Sequence, residues 1–413
     1  STNLYVGSDT DGTFQTIKTG LNDGKRWQFL TYKDIAIGTN GYDQPVKYDG
    51  KTQVTANTDG SRTANELCAQ LGAPFSEQNT GANLTASKWY QYKIAFYDGA
   101  TYSYSTARSN PILTGTSVRD ITLTDIPLGP TGTTNRYLYR TTGQSTQAAV
   151  EADTTFYKVT TIADNTTITY NDAIADATIS ADAVPTWATV SAGNNATPPM
   201  GSLATIHEEK LFISGNKTYL SQLYWSDTYN PDYFDPADYT EIRQDDGDAV
   251  TFIKEQLGIL TVGKTNTIQK FYTNGDTSTW SVSAPFSFVG CPASYSVANS
   301  PNGIYYLARD GLYLFNGQYS QKISDAVTPE IRDILETQFD STWGFYWNGE
   351  YSLAYTSAAT GATVNDRVLV YDIVRDAYAK DTKNVNCFST FSSGTDYGTL
   401  YSGSSATDRE IYA

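Results

Sequence analysis

The feature that most constrains this chain is a loose repeat of paired short strands. Residues 34–38 lead to 46–50, 210–214 to 222–227, 257–262 to 268–272, 303–307 to 311–317, and 350–355 to 368–372, which leads on to 399–403. In each pair a short apolar strand precedes a second that ends in an aromatic and turn residues, often with Gly. Several pairs recur about 40–50 residues apart, the spacing of propeller blades with four strands each. The blades carry neither WD nor kelch signatures, and a series of β-sandwiches would also give short strands with frequent turns. The rhythm favours an all-β fold, a β-propeller of about six blades. Closure by the N-terminal strand Leu4-Tyr5-Val6 with the C-terminal one is expected.

Residues 79–186 break this rhythm. From Ala82 to Tyr97, Leu84, Trp89, Tyr90, Tyr92, Ile94 and Phe96 give apolar–polar alternation. Segments 120–126, 136–140, 155–162 and 167–170 continue as short strands. Their spacing is that of a small sandwich of immunoglobulin or fibronectin type. The organisation expected is therefore propeller at 1–75, an inserted β-sandwich at 76–190, and propeller again at 191–413. The stretch 191–199, rich in Ala, Gly, Asn and Pro, reads as the return linker. Helix is scarce. Thr63-Ala-Asn-Glu66 is a capping box expected to open a short helix that Gly72 closes. Thr328 as N-cap, Pro329 and the stripe of residues 330–335 predict a second. Both read as connectors.

The 32 Tyr among 413 residues suit pleated, half-buried surfaces, because Tyr keeps a polar tip for water or a partner. A net charge of −16 argues against stable binding to nucleic acid or anionic membranes. It suits a surface past which a polyanion slides. Cys68, Cys291 and Cys387 are odd in number and far apart; one disulfide is open to them, and three buried free thiols are favoured. No 18-residue apolar run predicts a transmembrane helix. The chain begins at Ser1 and stops in what reads as mid-strand, so it is expected to be part of a longer gene product.

Motifs for chemistry are sparse. His207 is the only histidine, so any Ser/His/Asp or Cys/His mechanism would need it; beside Glu208-Glu209-Lys210 it reads as a strand-edge residue. No Cys/His cluster has zinc spacing, and phosphate loops and dinucleotide fingerprints are absent. A glycosidase needs only two carboxylates, and nothing selects a pair. Asp9/Asp11 and Asp245-Asp246-Gly247-Asp248 put oxygens on turns as Ca²⁺ prefers, without completing an EF-hand loop. Ser8–Phe14 partly resembles the Asp-box turn of sialidase propellers, which marks a turn between strands. Trp89, Trp225, Trp343 and Trp347 are candidates for stacking on sugars, or else for sheet packing. The expectation is no catalytic, cofactor-binding or metal-binding residue and no cofactor: not an enzyme.

A family resemblance enters at residues 222–234, followed by Asp245-Asp-Gly-Asp-Ala-Val-Thr-Phe252 and Leu257–Ile268. The tyrosine-tryptophan-serine-aspartate string, the acidic-glycine-acidic turn and the lysine-x-asparagine-x-isoleucine step occur in that order. Residues 290–297, 310–317, 322–324 and 365–372 continue it, and Ile126-Pro127 with Tyr137-Leu-Tyr-Arg-Thr141 resembles a small sandwich carried by some members. Over about residues 26–403 the chain resembles the propeller-bearing tail hub or nozzle (DNA-stabilisation) proteins of tailed phages. The resemblance implies a structural virion protein in a hexameric ring below portal and adaptor proteins, conducting and retaining the genome and supporting tail fibres. DNA would pass without specific binding, and synthesis would occur in the host cytoplasm. No catalytic residue is there to carry over, and the family's gating and docking regions are expected to lie outside this sequence. The alternatives are a carbohydrate-binding or adhesive propeller and a secreted glycoside hydrolase.

Overall fold

The computed structural model describes residues 2–7, 14–18, 21–33, 35–48, 52–53, 61–62, 65–66, 75–79, 81–97, 99, 109, 111–124, 126, 133–179, 199–229, 231, 234–235, 237–393, 396–405 and 411–412. The chain divides into two compact units, Ser1–Thr218 with Leu223–Thr240, and Tyr219–Gln222 with Glu241–Ala413. The fold is all-β, dominated by four-stranded antiparallel sheets.

In the first unit, Gln28–Tyr32, Ile35–Thr39, Val46–Tyr48 and Asn65–Glu66 form the first sheet, and Leu203–His207, Lys210–Ser214, Gln222–Trp225 and Tyr239–Glu241 the second. The two share a core of Tyr32, Ile37, Ala204, Leu211, Ile213 and Phe234. The Gln28 side chain also accepts from Ala204 N at 3.1 Å. Sheets that abut in space are thus separated in sequence by the strands of residues 75–172.

Those strands form two three-stranded sheets and a two-stranded one, Trp89–Tyr90 with Ile112–Leu113. In one three-stranded sheet, Asn135–Arg140 lies between Tyr92–Tyr97 and Tyr157–Ile162; in the other, Asp120–Thr124 lies between Phe75–Asn79 and Tyr170–Asp172. Ile94, Phe96, Leu138 and Val159 from the first meet Ile121 and Leu123 from the second. A buried charge also joins them: Arg140 pairs with Asp172, both side chains wholly shielded, and Tyr92 donates to Asp172 at 2.8 Å. Burial, and then the Asp172 charge, drive the Tyr92 hydroxyl well above the usual phenol range.

In the second unit, three four-stranded sheets follow in chain order. They comprise Val250–Gln256, Ile259–Lys264, Ile268–Tyr272 and Ser281–Val282; Ala298–Ser300, Gly303–Ala308, Gly311–Phe315 and Ser320–Lys322; and Trp343–Trp347, Glu350–Tyr355, Arg367–Asp372 and Ala377–Asp381. A three-stranded sheet of Cys387–Ser393, Asp396–Gly403 and Ile411–Tyr412 ends the unit. One core runs from Phe252 and Ile268 through Ile304–Ala308 to Tyr351 and Leu369. A second, with Ala354, Val368 and Phe388, links the last two sheets.

Several tyrosines act as pegs between these sheets. Tyr305 stacks on Tyr351 with ring centroids 5.4 Å apart. The Tyr351 hydroxyl donates to Ser296 O at 2.7 Å and that of Tyr378 to Ile323 O at 2.8 Å. Gly344 permits the approach at Ser296, because a Cβ there would lie 1.8 Å from the Ser296 carbonyl oxygen. The first hairpin of several sheets is a two-residue turn with positive φ, which matches strand twist: Asn348 (48°) and Gly349 (85°), Leu257 (51°) and Gly258 (74°), Glu208 (46°) and Glu209 (60°).

Each strand pair expected at 34–50, 210–227, 257–272, 303–317 and 350–372 is an adjacent antiparallel pair inside one four-stranded sheet. Three expectations need correction. Asn65–Glu66 is a strand paired with Val46 and Lys47, not a helical turn; the cap and closing positions Thr63 and Gly72 lie outside the described residues. The second helix is only Thr328–Arg332, with Val327 at the N-cap, so Thr328 is its first helical residue. The alternation from Ala82 to Tyr97 splits into Trp89–Tyr90 and Tyr92–Tyr97, which pair with different strands, and Leu84 lies outside both. Leu4–Gly7 pairs with Phe14–Lys18, and Ile411–Tyr412 with Ser402–Gly403.

Candidate functional site

The acidic turn at Asp245–Asp248 is where sequence motifs converge in space. Gln244–Asp246 forms a 3-10 turn between left-handed Arg243 (φ 49°) and Gly247 (φ 67°). Lys264, at the end of the strand Ile259–Lys264, is wholly shielded and inserts its amine there. The Nζ donates to Ile242 O at 2.8 Å and Arg243 O at 3.1 Å, and pairs with Asp246 Oδ1 at 2.5 Å. Two steps on, Asn266 N donates to Asp248 Oδ2 at 2.8 Å. Cys291 N donates to Lys264 O at 2.9 Å, and Gly290 makes room, since a Cβ there would come within 2.3 Å of that oxygen. Partial burial is the largest single influence on Asp246 and opposes its ionisation, but the hydrogen bonds from Lys264 and the Asp248 amide, with the Lys264 and Arg243 charges, together outweigh it and hold the carboxyl below its usual range. The Ile242 and Arg243 carbonyl oxygens and Asp246 Oδ1 are thus all engaged by one ammonium group. Among the described residues no group of three or more His, Cys, Asp or Glu is placed to hold a metal; Asp9 and Asp11 lie outside them.

The Tyr224-Trp225-Ser226-Asp227 string is a clasp between the two inner strands of the second sheet. Leu211 N donates to Ser226 Oγ and Ser226 N to Leu211 O, each at 2.9 Å, while Lys210 Nζ donates to Ser226 O at 3.0 Å. Trp225 is buried, its ring 6.3 Å from Phe212, which removes it from the sugar-stacking candidates. Beside the clasp, burial and then the Asp235 charge raise the Asp238 carboxyl to about 6, and burial also raises Asp227.

His207 is buried at a strand end, with Glu208 Oε1 3.9 Å from Nε2 and the Phe212 ring 5.9 Å away. Cys291 is a free, fully buried thiol pushed up to about 12 by burial, which makes it a poor nucleophile. Cys387 is free but only half-buried, unlike the expectation, and Cys68 lies outside the described residues. Residues 8–13 also lie outside them, although the strands that flank this segment pair, Gly7 opposite Phe14.

The remaining tryptophans separate by environment. Trp89 is half-buried and pairs with Leu113 and Gln144. Trp343 is stacked on Tyr295 with the rings 5° from parallel. Trp347 lines a cavity of about 420 Å³ together with Lys383, Phe388 and the strand at Gly398–Ser402. Sequence reasoning missed that cavity and the Lys264 clasp; a lysine closing the apolar run Ile259–Val262 was the available signal for the clasp.

No family model matches the chain, and no curated protein matches its sequence. Among solved structures, Saccharomyces cerevisiae Sqt1 is similar over 98% of this chain and 96% of its own, at 9% identity and a TM-score of 0.35. BamB from Moraxella catarrhalis is similar over 93% of this chain and 94% of its own, at 9% identity and a TM-score of 0.34. Likeness at this level carries no argument about function.

Proposed function

We propose that this chain is a structural virion protein, a subunit of the tail hub or nozzle of a tailed phage. In this reading the six sheets are propeller blades, and the strands from Phe75 to Asp172 are an inserted sandwich of immunoglobulin or fibronectin type. Copies assemble into a ring, six being the expectation, between portal or adaptor proteins and tail fibres. The ring retains the genome and then conducts it, with no membrane contact and no reaction catalysed.

The observation that carries the reading is the Lys264 clasp. Two motifs of the ordered string, the acidic-glycine-acidic turn and the lysine-x-asparagine-x-isoleucine step, meet through named contacts. Motifs that share one junction are structurally coupled, which supports reading their order as a family signature rather than as chance turns. The net charge of −16 suits a lumen that repels DNA and lowers friction during ejection. Native mass spectrometry of the purified full chain tests the assembly. A discrete species of several copies supports the ring, and a monomer at all concentrations excludes it.

A further inference from the structure

The cavity beside Trp347 has the composition of a sugar subsite. It is lined by Trp347, at the end of the strand Trp343–Trp347, and by Phe388, Leu400 and Ser402 of the last sheet. Ring placement is fixed from both sides: Trp347 Nε1 donates to Gly398 O at 2.8 Å, and Phe388 packs 6.3 Å from Phe345. The second, independent observation is Ser402. The residue is 3% exposed, it lines the cavity, and among the described residues its Oγ has no hydrogen-bond partner. A buried hydroxyl without a partner is uncommon and costs stability, so it calls for a group that completes it. Thr399 and Lys383 add polar groups at the margin. At about 420 Å³ the space is at the small end of the ~300–1,000 Å³ typical of small-molecule sites.

We infer that this cavity binds one neutral pyranose residue of a glycan, its apolar face on the Trp347 indole and a ring hydroxyl donating to or accepting from Ser402 Oγ. An aromatic face with a few fixed polar groups matches a sugar, which is apolar across its C–H face and polar at its edge. A carboxylated sugar would gain from Lys383 but would meet the negative field of the whole chain. The inference is independent of the ring reading: loss of sugar binding leaves the assembly mass untouched, and a monomer could still bind sugar.

The test is saturation-transfer NMR and tryptophan fluorescence titration of the full chain with the methyl glycosides of glucose, galactose, mannose and N-acetylglucosamine. At least one should bind saturably. Ser402→Ala removes only the orphan hydroxyl, so it should fold with unchanged or higher Tm and weaken binding about fivefold. Trp347→Phe, which keeps a ring and the packing, should weaken it further. Absence of saturable binding for all four glycosides would overturn the inference. So would binding that Ser402→Ala and Trp347→Phe leave unchanged, or Ser402→Ala raising Tm with no effect on affinity.

Discussion

Replacing Lys264 by Met should unfasten the acidic turn while leaving the strand packing in place. Met retains most of the apolar stem volume, so the cavity contribution is small and the effect isolates the amine. Two carbonyl oxygens, at 2.8 and 3.1 Å, and Asp246 lose their shared donor. Breaking a buried pair by removing one partner costs about 3–5 kcal/mol. The Asp246 side chain keeps 21% exposure and can rehydrate, which places the expected loss at the low end, ~3 kcal/mol. Because a chain of two compact units need not unfold in one step, amide hydrogen exchange is the suitable assay. Protection at Asn266 and Cys291, whose amides bond to Asp248 and Lys264, should fall about a hundredfold, by ~1.4 kcal/mol per tenfold. Asp246→Asn in the Lys264→Met background should recover part of it, giving a coupling of ~1–3 kcal/mol. The sign of the pH dependence follows from the lowered Asp246 pKa. Its contribution is present above the unfolded value near ~4 and is lost as pH falls through the folded one, so the variant and the parent should converge in acid. Protection unchanged within about threefold, or additivity of the two substitutions, would refute the clasp.

Other outcomes follow from the same contacts. Asp238 has a raised folded pKa, so its proton is retained between about pH 4 and 6 and stability declines as pH rises through that window; Asp238→Asn should flatten the decline of ~1–2 kcal/mol in thermal scans. Tyr351→Phe removes a fully buried donor to Ser296 O and should cost ~1–2 kcal/mol in urea unfolding, with no change in far-UV circular dichroism. Leu257 holds φ at 51° with 88% of its surface exposed, so Leu257→Asn should stabilise by up to ~1 kcal/mol; a loss of stability would show that the leucine is covered. Asp172→Asn leaves Arg140 buried with a weaker partner and should destabilise the two-sheet module by ~3 kcal/mol, read from exchange at Leu138 and Val159.

The strand pairs were legible because strand alternation and hairpin turns are local signals. Glu350–Tyr355 and Arg367–Asp372 can be located without knowing what they pack against. Three kinds of feature were not legible. Asn65–Glu66 carries a capping-box pattern, yet pairing with Val46 and Lys47 overrides that local preference. The helix Gln147–Ala152 escaped notice although Thr146 Oγ1 accepts from Ala149 N in the ordinary capping way; its six residues are too few for a periodic stripe. The roles of Lys264, Trp347 and Ser402 depend on partners 14 to 51 positions away, and no local pattern encodes those pairings. The acidic run was legible as a turn, but that Lys264 would pair with Asp246 there was not.

Electron microscopy of the purified chain is the most direct measurement of the central proposal. The account predicts closed rings with an axial channel, each copy contributing a disc of six radial sheets. Isolated particles without a channel, or sheets arranged as a row of sandwiches, would contradict it.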